Sequence, residues 1–147
     1  MKGDNYVVME FLSRSSNESF ARMAAAGFAA QLDPTLDELG DIKTAVSEAV
    51  TNAIVHAYPD SIGFVTVRAR IYPENVLELM VKDLGRGIPD IDQARQPMFT
   101  TGGEDRSGMG FTIMESFMDK LSIRSIPGRG TTVTMKKKLA PRINRSK

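Results

Sequence analysis

The chain has 147 residues, of which 41% are apolar and 25% charged; this is the balance of a folded domain, and the length favours one domain around one core. It has no cysteine and one histidine, which excludes disulfide frameworks, thiolate zinc sites, cysteine nucleophiles and three-histidine metal centres, so any metal would be held by oxygen. The net charge of +1 hides an asymmetry, because Lys136 to Lys147 hold six basic residues and no acid while the remainder sums to −5. No window approaches the roughly 18 uninterrupted apolar residues of a membrane span, and Met1-Lys2-Gly3-Asp4-Asn5 lacks the apolar run of a secretory signal. The expectation is a cytoplasmic protein without a membrane partner. The basic end has no aromatic interleaving and hangs from an acidic body, so it reads as a solvated strand end and not as a nucleic-acid arm. One domain is expected over residues 1–139, with a basic tail over 140–147.

Tyr6 to Phe11 is β-prone and opens the chain as a strand. Ser15 to Glu18 has the spacing of a capping box, and the Ala-rich run to Leu32 predicts a first helix. Asp33-Pro34-Thr35 predicts a second helix, with a cap, a proline in the first turn and Glu38 three after Thr35, running to about His56. Its apolar stripe of Leu39, Ile42, Val46, Ala49, Val50, Ala53 and Ala57 should pack on a sheet. Phe64 to Tyr72 and Val76 to Lys82 alternate with period two and read as a hairpin. A glycine-dotted loop then runs to Gly108, with a short helical turn expected near Ile91 to Arg95; so long a loop in so small a domain is usually functional. Met109 to Asp119 predicts a third helix, and Lys120 to Ile126 with Thr131 to Leu139 a last hairpin. The order βα, α, ββ, α, ββ implies an α+β fold in two layers, three helices on one face of a mostly antiparallel, mixed sheet.

Candidate chemistry begins on the second helix. Glu48 and Asn52 lie one turn apart, roughly 120 to 160° from Val46 at about 100° per residue, and so point off the core. An amide oxygen can ligate Mg²⁺, and a carboxylate can take a proton from a hydroxyl nucleophile, but taken alone the pair reads more readily as a solvated polar face. The phosphate loop GxxxxGK[ST] is absent. Asp83-Leu84-Gly85-Arg86-Gly87 ends a strand, where a carboxylate can accept from an exocyclic amine and bare backbone can approach a flat ring; a tight turn is the other reading. Ser107-Gly108-Met109-Gly110 opens the third helix, whose N-terminus can hold phosphate. Gly128 to Thr131 is at least partly a hairpin turn. His56, at the end of the second helix, reads as a capping or packing residue.

Taken in order, these pieces resemble the Bergerat-type ATP-binding fold shared by gyrase-type topoisomerases, the Hsp90 chaperone, sensor histidine kinases and MutL proteins. Glu48 with Asn52 is similar to that family's N box. Asp83, Gly85 and Gly87 resemble its first glycine box, Gly108 and Gly110 its second, and Gly130 with Thr131 its last. Glu48 to Tyr58, Ala94 to Thr101 and Arg106 to Asp119 narrow the resemblance to the anti-sigma serine kinases, the anti-sigma F factors of endospore-forming bacteria among them; Asn17 to Arg22 and Gln31 to Leu39 extend it over nearly the whole chain. Two departures are Ala57, where a glycine is common, and the glycine-rich Gly102 to Asp105 in the lid.

The resemblance implies a homodimer that binds ATP and Mg²⁺, inhibits a sporulation sigma factor of the sigma F type, and phosphorylates a serine of an anti-anti-sigma protein. On that basis Asp83 would bond the adenine amine, Thr131 would help through water, and Asn52 would ligate Mg²⁺. Gly108, Met109 and Gly110 would offer N–H groups to the phosphates, with Gly85, Gly87, Thr100, Thr101 and Ser107 completing the nucleotide site. Glu48 would be the base, Arg106 would stabilise charge on the transferred group, and Arg22 would lie at the partner-binding surface. A nucleotide-gated binding module without phosphotransfer is the alternative. A histidine-kinase fragment is a weaker third reading, since the chain carries no separate helix pair bearing a phosphoacceptor histidine.

Overall fold

The computed structural model describes residues 5–88 and 110–140. In chain order they form β1 (Asn5–Leu12), α1 (Ser16–Ala29), α2 (Leu36–Thr51), β2 (Phe64–Tyr72), β3 (Val76–Asp83), α3 (Gly110–Phe117), β4 (Lys120–Ile126) and β5 (Gly130–Lys138). The strands make one sheet in the order β1-β2-β3-β5-β4, with the helices packed on one face. Every neighbouring pair is antiparallel, in keeping with the mostly antiparallel sheet expected, and no parallel pair occurs among the described strands. The reason is topological. β4 does run parallel to β3, the result of a single intervening helix, but β5 pairs between them and separates the two.

The α2 stripe is buried at Ile42, Val46, Ala49, Val50 and Ala53, over Val65, Val67 and Ala69 of β2 and Leu77, Leu79 and Val81 of β3. Alanines at 21, 25 and 29 of α1 and at 45 and 49 of α2 are buried in the same core, and small side chains let helices lie close.

The helix boundaries differ from expectation in three places. Ser15 is itself helical (φ −58°, ψ −29°) and its side chain caps nothing, because the first turn already forms on the carbonyls of Arg14 and Ser15; Glu18 turns instead to Arg22. α1 ends at Ala29 in a 3₁₀ turn over Ala30–Leu32, and Asp33 reverses the chain at φ 52°. The second capping box does form, around Thr35: its Oγ1 accepts from the Glu38 N–H at 3.0 Å and Glu38 accepts from the Thr35 N–H at 2.9 Å, leaving Pro34 just outside the helix. Beyond Thr51 the expected α-helix widens into a π turn over Asn52–His56.

Three of the six C-terminal basic residues belong to β5 and not to a tail. Lys136 faces Glu78, Lys137 faces Asp41 and Lys138 faces Glu74, at 3.8, 3.4 and 3.9 Å. The rest of the proposed tail, 141–147, and the helical turn expected near Ile91 to Arg95 lie outside the described residues.

Candidate nucleotide site

α2 presents Glu48 and Asn52 half-buried toward the first residue of α3. A Cβ added to Gly110 would stand 3.2 Å from Asn52 Nδ2, 3.4 Å from Asn52 Oδ1 and 3.4 Å from Glu48 Oε1. These three residues, 62 positions apart at the extremes, therefore meet, and bare backbone at Gly110 is what lets both side chains reach the start of α3. Asn52 is also the residue at which the helix changes to π geometry, its carbonyl accepting from Ala57 N–H at 3.3 Å; such turns recur at functional sites.

Asp83 ends β3, directly opposite Thr131 of β5. It is 7% exposed, and its Oδ1 accepts from the Gly85 N–H at 2.9 Å and the Thr131 N–H at 3.2 Å. Burial raises the carboxyl above its ordinary pKa of 3.8, and the two N–H groups offset this only in part. No bond to Oδ2 occurs among the described residues.

The glycines around Asp83 are required by close approach. A Cβ at Gly85 would overlap the Ala57 carbonyl and side chain, and one at Gly130 (φ 122°) the Asp83 carbonyl. Gly87 has φ 78° and lies against the Ile126–Pro127 backbone. Ala57 itself is an ordinary helical residue (φ −73°, ψ −36°), so this departure from the family's common glycine brings no strain; its carbonyl accepts from Arg86 N–H at 3.1 Å.

Two residues that the sequence reading did not single out hold this end together. The Tyr58 hydroxyl donates to the Phe64 carbonyl at 2.8 Å and accepts from the Leu84 N–H at 2.7 Å, joining the π turn, β2 and the glycine loop. Ser125 Oγ accepts from Ile88 N–H at 2.7 Å and lies 2.8 Å from Thr131 Oγ1. Periodicity in β4 made Ser125 core-facing, but only the β4–β5 register reveals its partners. Thr100, Thr101, Arg106, Ser107, Gly108 and Met109 lie outside the described residues. Arg22 is half-buried on α1, its Nε 3.1 Å from Glu18, the pair that their i,i+4 spacing predicts.

Among the described residues no group of three or more His, Asp or Glu side chains could hold a metal. An ion held by Asn52, with or without Glu48, would complete its shell from water and phosphate oxygen, which is how Mg²⁺ is usually bound. The donor set fits that ion.

Residues 12–137 match the family described as Histidine kinase-like ATPase domain. An anti-sigma F factor of Caldanaerobacter subterraneus subsp. tengcongensis is 56% identical over 138 residues, covering 93% of this chain and 96% of the relative. An anti-sigma F factor of Geobacillus kaustophilus is 56% identical over 138 residues, covering 92% and 94%. Among solved structures, the RsbU and RsbW domains of a Mycobacterium tuberculosis protein superpose with TM-score 0.68 at 20% identity, over 92% of this chain and 32% of that one. The mycobacterial sensor histidine kinase MprB superposes with TM-score 0.59 at 17% identity, over 92% and 100%. These two likenesses concern the fold.

Proposed function

Because the chain belongs to the anti-sigma F factor family and carries its histidine kinase-like ATPase domain, we propose that it is a cytoplasmic protein-serine kinase that inhibits a sporulation sigma factor and phosphorylates an anti-anti-sigma protein. The observation that carries this reading is the meeting of Glu48, Asn52 and Gly110. It sets a carboxylate beside an amide, a group that can ligate a metal, at the start of a helix.

In this reading Asp83 accepts from the adenine amine and Thr131 assists through water, while Gly85 and Gly87 admit the ring. Asn52 holds Mg²⁺, which supplies charge neutralisation to the phosphates. The backbone N–H groups of Gly108, Met109 and Gly110 would serve the phosphates, and Thr100, Thr101 and Ser107 would complete the nucleotide site. Glu48 accepts the hydroxyl proton of the acceptor serine while the serine oxygen bonds to the γ-phosphorus and displaces ADP; Arg106 balances the charge on the transferred group. Arg22 serves the partner surface of α1, where Phe20 and Met23, each 58% exposed, supply apolar anchors.

Incubation with γ-labelled ATP and an anti-anti-sigma protein tests the reading. Label on a partner serine is expected. Sigma-factor binding that responds to ATP with no label transferred would replace the kinase by a nucleotide-gated binding module. Arg22→Ala should weaken partner binding and leave ATP affinity unchanged; normal partner binding would reduce Arg22 to the partner of Glu18.

A further inference from the structure

On the helix-covered face of the sheet, β4, β5 and β3 each contribute one side chain to every cross-strand row. Leu121, Met135 and Leu79 form one row and Ile123, Val133 and Val81 the next, all apolar and packed in or against the core. The row at the strand ends is Ser125, Thr131 and Asp83. A polar row where the two behind it are apolar breaks the local pattern, and such breaks mark functional positions. Asp83 and Thr131 already have a place in the nucleotide site; Ser125 has none.

A serine hydroxyl has one proton to donate and two lone pairs that accept. The Ile88 N–H, which can only donate, fills one lone pair of Ser125 at 2.7 Å. The Gly130 carbonyl, which can only accept, takes the Ser125 proton at 3.1 Å. The 2.8 Å contact between Ser125 Oγ and Thr131 Oγ1 is then closed by the Thr131 proton, which donates to the second lone pair of Ser125. Thr131 therefore turns its proton away from the ligand and keeps only lone pairs for its other side. An ionised Asp83 likewise only accepts.

We propose that Ser125 is a positioning residue of the base site: it fixes the Thr131 hydroxyl as an acceptor, so that Thr131 and Asp83 together read a purine by the protons of an exocyclic amine and disfavour a purine bearing an oxo group there. The proposal rests on the nucleotide reading above and adds to it the direction of each hydrogen bond. From the amine, directly or through a water, every bond passes its proton the same way: to Thr131, to Ser125 and on to the Gly130 carbonyl. Bonds aligned in one direction strengthen one another. An oxo group in the same place has no proton with which to start the chain, and it faces acceptors that it leaves unpaired. Ser125 acts through Thr131 and not by contact with the nucleotide.

The test uses the full chain and calorimetric titration with ADP and inosine diphosphate, which carry an amine and an oxo group respectively on the same purine carbon. The unaltered chain should bind ADP more tightly. Ser125→Ala should cut that preference by roughly three- to tenfold, the size of one neutral hydrogen bond, and Ser125→Thr, which keeps a hydroxyl, should retain it. In a Thr131→Val background, Ser125→Ala should change the preference no further. Loss of the Ile88 bond alone would weaken both diphosphates alike, so a fall in both affinities at an unaltered ratio overturns the proposal. An effect of Ser125→Ala that persists undiminished beside Thr131→Val overturns it too. Thr131→Val alone should cut the preference at least as far, and it gives the same reading if Ser125→Ala does not fold; a preference that survives it counts against the proposal. Binding of neither diphosphate by the unaltered chain would remove the nucleotide site and the proposal together, whereas equal binding of both would remove only the reading of the amine.

Discussion

Asp83 shows how a ligand-binding group can work against the fold that holds it. Its pKa is raised, so its favourable contribution to stability is fully present below 3.8 and is lost as pH rises through the raised value; at neutral pH the buried charge is a cost. Asp83→Asn keeps an oxygen for the Gly85 and Thr131 N–H groups but loses the charge offered to a bound amine. ATP affinity should drop by about 1.5 to 3 kcal/mol, roughly ten- to hundredfold by calorimetry. The variant should unfold at a temperature no lower than wild type at pH 7, and any advantage should shrink at pH 4. Glu48 and Asn52 separate in the same way. Glu48→Gln should retain ATP and sigma-factor binding while single-turnover transfer falls by about 10²- to 10⁴-fold; Asn52→Ala should lose nucleotide affinity itself. Transfer at the wild-type rate by Glu48→Gln would remove it as the base.

At the scale of elements, α2 is anchored at both ends by side chains that tie it to something else. At its start, Glu38 closes the Thr35 capping box and also accepts from the Ala140 N–H at 2.8 Å, joining the helix to the chain just past β5. Burial raises the Glu38 carboxyl, but the N–H groups of Ala140 and Thr35 outweigh it and hold it below its ordinary 4.5. Its contribution is therefore present above that value and lost as acid protonates it. Thr35→Ala should cost about 1 kcal/mol in denaturant unfolding, and retained stability would show that the cap adds nothing beyond helix packing. At its other end the π turn delivers Tyr58 between β2 and the glycine loop. Tyr58→Phe removes the partner of the Leu84 N–H and the Phe64 carbonyl, both within reach of water, a loss of about 0.5 to 1.5 kcal/mol. Affinity for ATP should decline severalfold while transfer at saturating ATP persists; an unchanged affinity would mean that the loop holds its shape without Tyr58.

At the scale of the whole molecule, the helices cover one face of the sheet, and among the described residues the other face is left open. On that open face Tyr6, Val8, Leu12 and Phe64 are 39 to 54% exposed, and the Nε atoms of Arg68 and Arg70 are buried without a hydrogen-bond partner. Arg68 and Lys136 flank Glu78, and Arg70 lies 5.5 Å from the Tyr6 ring centroid, so an apolar margin adjoins a charged centre. Such a face suits a second copy of the chain, the homodimer that the family resemblance implies. A doubly substituted Val8→Glu, Phe64→Glu protein should sediment as a monomer where the unaltered chain sediments as a dimer. Two outcomes count against this face: a monomeric unaltered chain, or a dimer that survives both substitutions.

Short-range physics was readable from the residues alone. β-propensity located the first strand, period-two alternation the middle hairpin and a glycine-rich turn the last one, all within a residue or two; the 3.6-residue stripe of α2 marked its buried face, and Thr35 with Glu38 marked its start. The absence of cysteine and the single histidine limited any metal to oxygen ligands. The glycine clusters and the Glu48–Asn52 pair were visible as candidates, yet the pair, the Asp83 cluster and the Gly128 turn each had an ordinary structural reading as well. What only the tertiary structure decided was which of them meet. Asp83 faces Thr131 because β5 inserts between β3 and β4, Gly110 reaches Glu48 and Asn52 because α3 packs against α2, and Ser125 joins Thr131 through the β4–β5 register. Those contacts join positions up to 62 residues apart, and local propensity acts over a few residues. The Ser15 and Thr35 boxes make the same point in miniature: the two have the same spacing, and only the second caps a helix, because its Thr35 is extended while Ser15 already lies in the helical turn.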